Sequence, residues 1–269
     1  MAPDEHERFA RGAVDALSRD PRLAGLALGG SWIGKRMDEF SDLDFVVAVK
    51  PAHVSAVMND RQTIAGGLGK LLCAFTGEHV GEPRLLICLY NDPLLHVDLK
   101  FVSVADFAHR VEDPEVLWDR DGDLARALAS SRAEFPRPDV QWIEDRFWTF
   151  VHYGATKLGR GEYFEVVGFL AFLRDRVLGP MCAARHGLEP RGVRRLEFYA
   201  REERAKFEAT LCRNDRRDCG RALVAAVALY RELRQAMAPP DLTPRTAAET
   251  SAVAYLDAVV RRDGEAKDP

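Results

Sequence analysis

The sequence contains no apolar run approaching the roughly 18 residues that a membrane-spanning helix needs, so no membrane partner is expected. It also lacks paired cysteines. The five present (Cys73, Cys88, Cys182, Cys212 and Cys219) are odd in number and form no CxxC. Neither a disulfide framework nor a zinc cluster is expected from that spacing; buried free thiols are. A basic start followed by an apolar core is missing too. The opening MAPDEHERFARGAVDAL carries acids where a signal peptide would carry cations, which points to a cytoplasmic protein. Positive charge is not in excess: 38 Lys and Arg stand against 42 Asp and Glu, a net of −4. That balance argues against a general nucleic-acid binder. Internal repeats and low-complexity tracts are absent from the sequence.

What the chain does have is a globular composition, with 47% hydrophobic and 30% charged residues over 269 positions. That length supports one large domain or two ordinary ones. The charge is unevenly spread. Residues 1–140 hold 16 Lys and Arg against 23 Asp and Glu, a net of −7, leaving 22 against 19, a net of +3, for residues 141–269. An acidic half suits a divalent cation or a cationic substrate; a mildly basic half suits phosphate.

Hydrophobic periodicity separates two textures. Residues 5–18 read as an amphipathic helix, and LAGLALGG (23–30), DLDFVVAV (42–49), RLLICLY (84–90) and LLHVDLKFVS (94–103) as strands. The Asn91-Asp92-Pro93 turn makes a hairpin of the last two, and residues 52–74 read as an interrupted helix. Residues 111–140 are acidic and broken by proline, as in a linker with short helices. From there on the pattern is helical: 141–158, 162–179, 191–212, 217–237 and 245–262. The expectation is an α+β chain: a small mixed-sheet domain over 1–110, a linker over 111–140, a helical bundle over 141–262 and a frayed tail over 263–269.

The chemistry concentrates in GGSWIGKRMDEFSDLDFVVAV, residues 29–49. Glycines at the end of a strand let backbone N–H groups approach an anion, and the Ser31 hydroxyl adds a donor. Asp42 and Asp44 are two apart in a strand and project to one side. Two carboxylates side by side call for a cation, and magnesium accepts carboxylates together with phosphate oxygens. Two such ions, about 3.5–4 Å apart, clamp the attacking and leaving oxygens of an in-line displacement. A third carboxylate is expected from Asp98, because His96, Asp98 and Lys100 alternate onto one face of a strand whose other face is apolar.

With Gly30, Ser31, Asp42, Asp44 and Asp98 in these positions, the first 105 residues resemble the polymerase-beta-like nucleotidyltransferases. Within that superfamily the chain is similar to the small bacterial antibiotic nucleotidyltransferases acting on aminoglycosides or lincosamides, in which a helical domain follows the catalytic one. The resemblance implies attack of a hydroxyl on the α-phosphate of ATP or another nucleoside triphosphate, with pyrophosphate leaving. Asp42 and Asp44 would hold two magnesium ions. Asp98 would hold one of them and help deprotonate the hydroxyl, and Gly30 and Ser31 would hold the triphosphate. Many members carry arginine and glycine three and four residues after the serine. Here those positions are Gly34 and Lys35, so Lys35 or Arg36 is the expected phosphate contact.

From the helical half the resemblance implies a lysine over the triphosphate and a carboxylate base. Lys157 and Glu165 are the candidates, Glu165 because it falls among Phe164, Val166, Val167 and Phe169, where burial would raise its pKa. Helix dipoles alone also account for cations at the end of one helix and acids at the start of the next. The expected partners are a nucleoside triphosphate and a small-molecule hydroxyl acceptor, bound by a monomer or homodimer. The alternatives are a protein or RNA hydroxyl, as in toxin–antitoxin systems, and a nucleotide-binding module without turnover.

Overall fold

A computed structural model describes residues 4–262; the tail expected over 263–269 lies outside them. The chain divides into two compact units, Met1–Phe135 and Pro136–Pro269, and is α+β in class: a mixed sheet in the first unit and helices in the second.

In chain order the first unit runs α1 (Asp4–Leu17), β1 (Leu23–Leu28), a 3-10 segment (Gly30–Lys35), β2 (Leu43–Val49), α2 (Val54–Gly66), β3 (Lys70–Gly77), β4 (Glu82–Asn91), β5 (Leu95–Ser103), α3 (Val104–Phe107), β6 (Glu115–Asp119) and α4 (Asp123–Ser130). The sheet order is β3-β4-β5-β2-β1-β6. β2 and β5 run parallel, and the other neighbours are antiparallel.

Two sequence expectations fail here. Residues 70–74, read as the end of a helix, belong to β3. The chain breaks at Gly66-Gly67, and the strand that follows sits at the sheet edge, where its side chains are mostly exposed and leave a weak alternation. Cys73 is accordingly exposed. The stretch expected as a linker contains β6, which pairs with β1 through Gly25↔Asp119 and Leu26↔Trp118. That pairing covers the edge of β1, a strand buried along its whole length.

The two sheet faces differ. Leu43, Phe45, Val47, Val97, Leu99 and Phe101 lie on one face in a core shared with Ala10, Ala13 and Leu17 of α1 and Val57 and Ala65 of α2. On the other face Ala27, Ala48 and Val102 pack with Phe107 of α3 and Leu124 and Ala127 of α4. Strand phase carries that second face back along β2 from Ala48 and Val46 to Asp44, and along β5 from Val102 and Lys100 to Asp98. The short helices cover its apolar end, and the carboxylates stand at the other.

The second unit comprises α5 (Val140–Gly159), α6 (Tyr163–Leu173), a π turn (Arg174–Leu178), α7 (Gly179–Arg185), α8 (Leu196–Tyr199), α9 (Arg204–Glu208), α10 (Arg216–Met237) and α11 (Thr246–Arg261). The single helix expected over 191–212 is instead two short ones, because Gly192 and Arg195 take positive φ of 63° and 60° and interrupt it. Phe147 stacks on Tyr230 at 3.6 Å in the middle of the core. Glu144 is fully buried there, accepting from the Tyr230 hydroxyl (2.6 Å), Trp148 Nε1 (3.0 Å), Arg234 (3.0 Å) and the Arg245 amide (2.9 Å).

Candidate functional site

In the β2–β5 register Asp44 pairs with Asp98. Strands paired in parallel with matched register place both side chains on one face, so the two carboxylates stand side by side. Asp42 precedes β2 by one residue and keeps the same phase; it is near enough for its charge to act on Asp98. Its loop is tied down from α1, where buried His6 Nε2 donates to the Ser41 carbonyl at 2.8 Å. All three aspartates are half-buried. Burial pushes the Asp98 carboxyl above the usual carboxylate range; His96, with Nε2 3.0 Å from Asp98 Oδ1, opposes that, and the Asp42 charge adds to it. Lys100 is not the partner of Asp98. Its ammonium lies 2.8 Å from Glu82 Oε2, and Arg84 holds the same carboxylate.

The glycine–serine loop closes on this group. Gly30 has φ +61°, and a Cβ built on it would fall 1.8 Å from Asp44 Oδ2. Only glycine lets the loop backbone lie against that carboxylate. The Gly29 amide donates to the Asp44 carbonyl at 2.9 Å, fixing the loop to β2. The Ser31 hydroxyl is buried and has no hydrogen-bond partner among the described residues. A buried donor without a partner is costly, and next to an anion-seeking loop it marks a place for a ligand oxygen. Beyond Ser31 the segment kinks at Ile33 and Gly34 (φ 72°). Lys35 itself takes a positive φ of 56° and is exposed.

Sequence reasoning missed one carboxylate. Glu112, from the presumed linker, accepts the Gly30 amide at 2.8 Å on Oε1. The two residues are 82 positions apart, so no local spacing could have announced the contact.

The two candidates from the helical half are placed as follows. Lys157, in the last turn of α5, donates to Glu162 Oε2 at 2.6 Å; that hydrogen bond holds its ammonium above the usual lysine range. Glu165 is exposed and accepts from the Tyr153 hydroxyl. The expected burial of Glu165 is therefore corrected. The period of α6 turns Val166 and Leu170 inward and leaves Phe164 and Glu165 facing outward.

The donor set fits magnesium. Asp42, Asp44 and Asp98 offer carboxylate oxygens of the kind magnesium takes, beside the glycine–serine loop. Among the described residues, the ligating atoms that lie within 4.8 Å of one another are elsewhere, on Cys182, His186 and Glu203.

No protein-family model and no curated protein matches the chain. Among solved structures, a crystal structure of an aminoglycoside 6-adenyltransferase from Bacillus subtilis is similar over 93% of this chain and 97% of its own, at 17% identity and a TM-score of 0.39. A likeness of that strength says nothing about chemistry, and the functional reading rests on the residues themselves.

Proposed function

We propose that the chain catalyses magnesium-dependent transfer of a nucleoside monophosphate, AMP by preference, from a nucleoside triphosphate to a hydroxyl of a small molecule. The observation that carries this reading is the Asp44–Asp98 register pair with Asp42 beside it and the Gly30-Ser31 loop pressed against Asp44. Magnesium, held as two ions by Asp42, Asp44 and Asp98, would neutralise phosphate oxygens and favour the ionised acceptor hydroxyl.

In this reading the chain's own groups divide the work. Asp98, whose proton affinity is raised by burial and by Asp42, takes the proton of the acceptor hydroxyl. The Ser31 hydroxyl and the Gly30 amide donate to the triphosphate, the amide exchanging Glu112 for a phosphate oxygen. Lys35 is a proposed phosphate contact. Lys157 and Glu165 remain proposals, for the triphosphate and for acceptor deprotonation respectively. A cationic acceptor such as an aminoglycoside or a lincosamide is the proposed substrate class, since the carboxylate excess of residues 1–140 favours positive charge.

The test is pyrophosphate release by the purified full chain with magnesium, each of the common nucleoside triphosphates and a panel of hydroxylated antibiotics. Release that depends on acceptor and magnesium, and falls by roughly 10³-fold in Asp42→Asn, supports the reading. Nucleotide binding without release from any acceptor would favour a non-catalytic module, with Glu112 still closing the Gly30 amide. Transfer to a co-purified protein or RNA would move the acceptor to a macromolecule.

A further inference from the structure

The helical unit holds a cluster that nucleotidyl transfer leaves unused. His186 closes the last turn of α7, its amide donating to the Cys182 carbonyl at 3.2 Å. Cys182 and His186 are thus one helical turn apart and share a face. Glu203, only 1% exposed, comes from the segment between α8 and α9. Its Oε2 lies 3.2 Å from His186 Nε2 and its Oε1 lies 3.2 Å from an Arg185 nitrogen. The Cys182 sulfur, a His186 ring nitrogen and a Glu203 oxygen all fall within 4.8 Å of one another.

A second observation points at the same place. The Tyr199 hydroxyl is buried and has no hydrogen-bond partner among the described residues. Its ring stands edge-on to His186 at 5.6 Å, and the hydroxyl is near enough to Cys182 and Glu203 to feel both. A buried phenolic oxygen beside ligating groups is satisfied by a ligand oxygen or ion placed there.

We propose that Cys182, His186 and Glu203 form a zinc site, with the Tyr199 hydroxyl beside its open fourth position. Thiolate, imidazole and carboxylate together are a borderline-soft donor set of the kind zinc takes, and magnesium and calcium do not. A tetrahedral zinc shell with bonds of about 2.0–2.3 Å places its ligand atoms roughly 3.3–3.8 Å apart, so small side-chain rotations close the cluster. The charges balance: one thiolate and one carboxylate neutralise the dication, and the thiol proton leaves to solvent as the Zn–S bond forms. Arg185 on the other carboxylate oxygen is the outer partner that ligating carboxylates commonly keep. His186, with 31% of its side chain exposed, gives the ion a way in. The site would tie the end of α7 to a stretch whose helices, α8 and α9, are only four and five residues long.

The experiment uses the full chain, stripped of metal, titrated with cobalt(II) in excess magnesium and followed by the thiolate-to-cobalt charge-transfer absorption. The expected result is a band saturating at one equivalent and displaced by zinc. It should be lost in Cys182→Ser and weakened at least about tenfold in affinity in His186→Gln. Zinc should raise the melting temperature of the wild type and not of His186→Gln. Because Cys182 is fully buried, its variant can fail to fold; His186→Gln, at a partly exposed position, then decides alone. Cys212 and Cys219, with sulfurs 3.7 Å apart, are the competing thiols. A band that persists unchanged in His186→Gln, or no band in the folded wild type, overturns the proposal and leaves His186, Glu203 and Arg185 as an ion-paired cluster.

Discussion

Asp44 and Asp98 face the same way from adjacent parallel strands, as register partners of β2 and β5. Parallel pairing brings together residues 54 positions apart, and the carboxylates it pairs stand where α3 and α4 no longer cover the sheet. The Asp98 carboxyl there is pushed up by burial and by the charge of Asp42, against the opposing pull of His96.

That shift gives the metal-free protein a pH dependence of defined sign. Asp98 binds its proton more tightly in the folded chain than in the unfolded one. Its ionisation therefore weakens the fold as pH rises through the carboxylate range, and below that range the penalty vanishes. Asp98→Asn, neutral throughout and still able to accept from His96, should melt about 2–4 °C higher than the wild type near pH 7 without metal. The gap should close toward about pH 4. Thermal melts across that range check it; a variant less stable at every pH would contradict the assignment.

Gly30 is the position where the loop has no room to change. A methyl group there would meet Asp44 Oδ2 at 1.8 Å and would sit on a backbone with φ +61°. Gly30→Ala should cost about 1–3 kcal/mol in urea denaturation and should weaken magnesium binding, because the displaced carboxylate is a proposed ligand. Wild-type affinity for magnesium in this variant would show that Asp44 is not one.

Glu144 is one of two buried acids among the described residues of the helical unit, with Glu203. Burial alone would raise the Glu144 carboxyl, but hydrogen bonds from Tyr230, the Arg245 amide, Trp148 and Arg234 bring it below the usual range. Glu144→Gln keeps the shape and removes the charge, while Arg234 retains Glu249 at 2.8 Å. The expected loss is about 2 kcal/mol at neutral pH, shrinking as pH falls and wild-type Glu144 itself becomes protonated. Urea midpoints at two pH values read this directly.

The site was legible where its logic is local. Asp42, Asp44 and Asp98 follow from strand phase, and the turn at Asn91-Asp92-Pro93 announced the β4–β5 hairpin. What stayed hidden is long-range or unpatterned. Glu112 reaches Gly30 across most of the unit, and Glu144 looks like any helix acid until Tyr230 and Arg234 close over it. β3 passed for helix because an edge strand buries too little to show its period. The grouping of Cys182, His186 and Glu203 matches no short motif; a helix turn and a loop seventeen residues on bring their ligating atoms within 4.8 Å of one another.

The central claim is that Asp42, Asp44 and Asp98 hold the divalent ions of a nucleotide site. The most direct measurement is manganese(II) binding, counted by the loss of the free-ion paramagnetic signal, with a non-hydrolysable nucleoside triphosphate present and the Cys182 cluster filled with zinc. Two nucleotide-dependent ions per chain are expected in the wild type and neither in Asp44→Asn. Equal manganese binding by the wild type and Asp44→Asn, both folded, would contradict it.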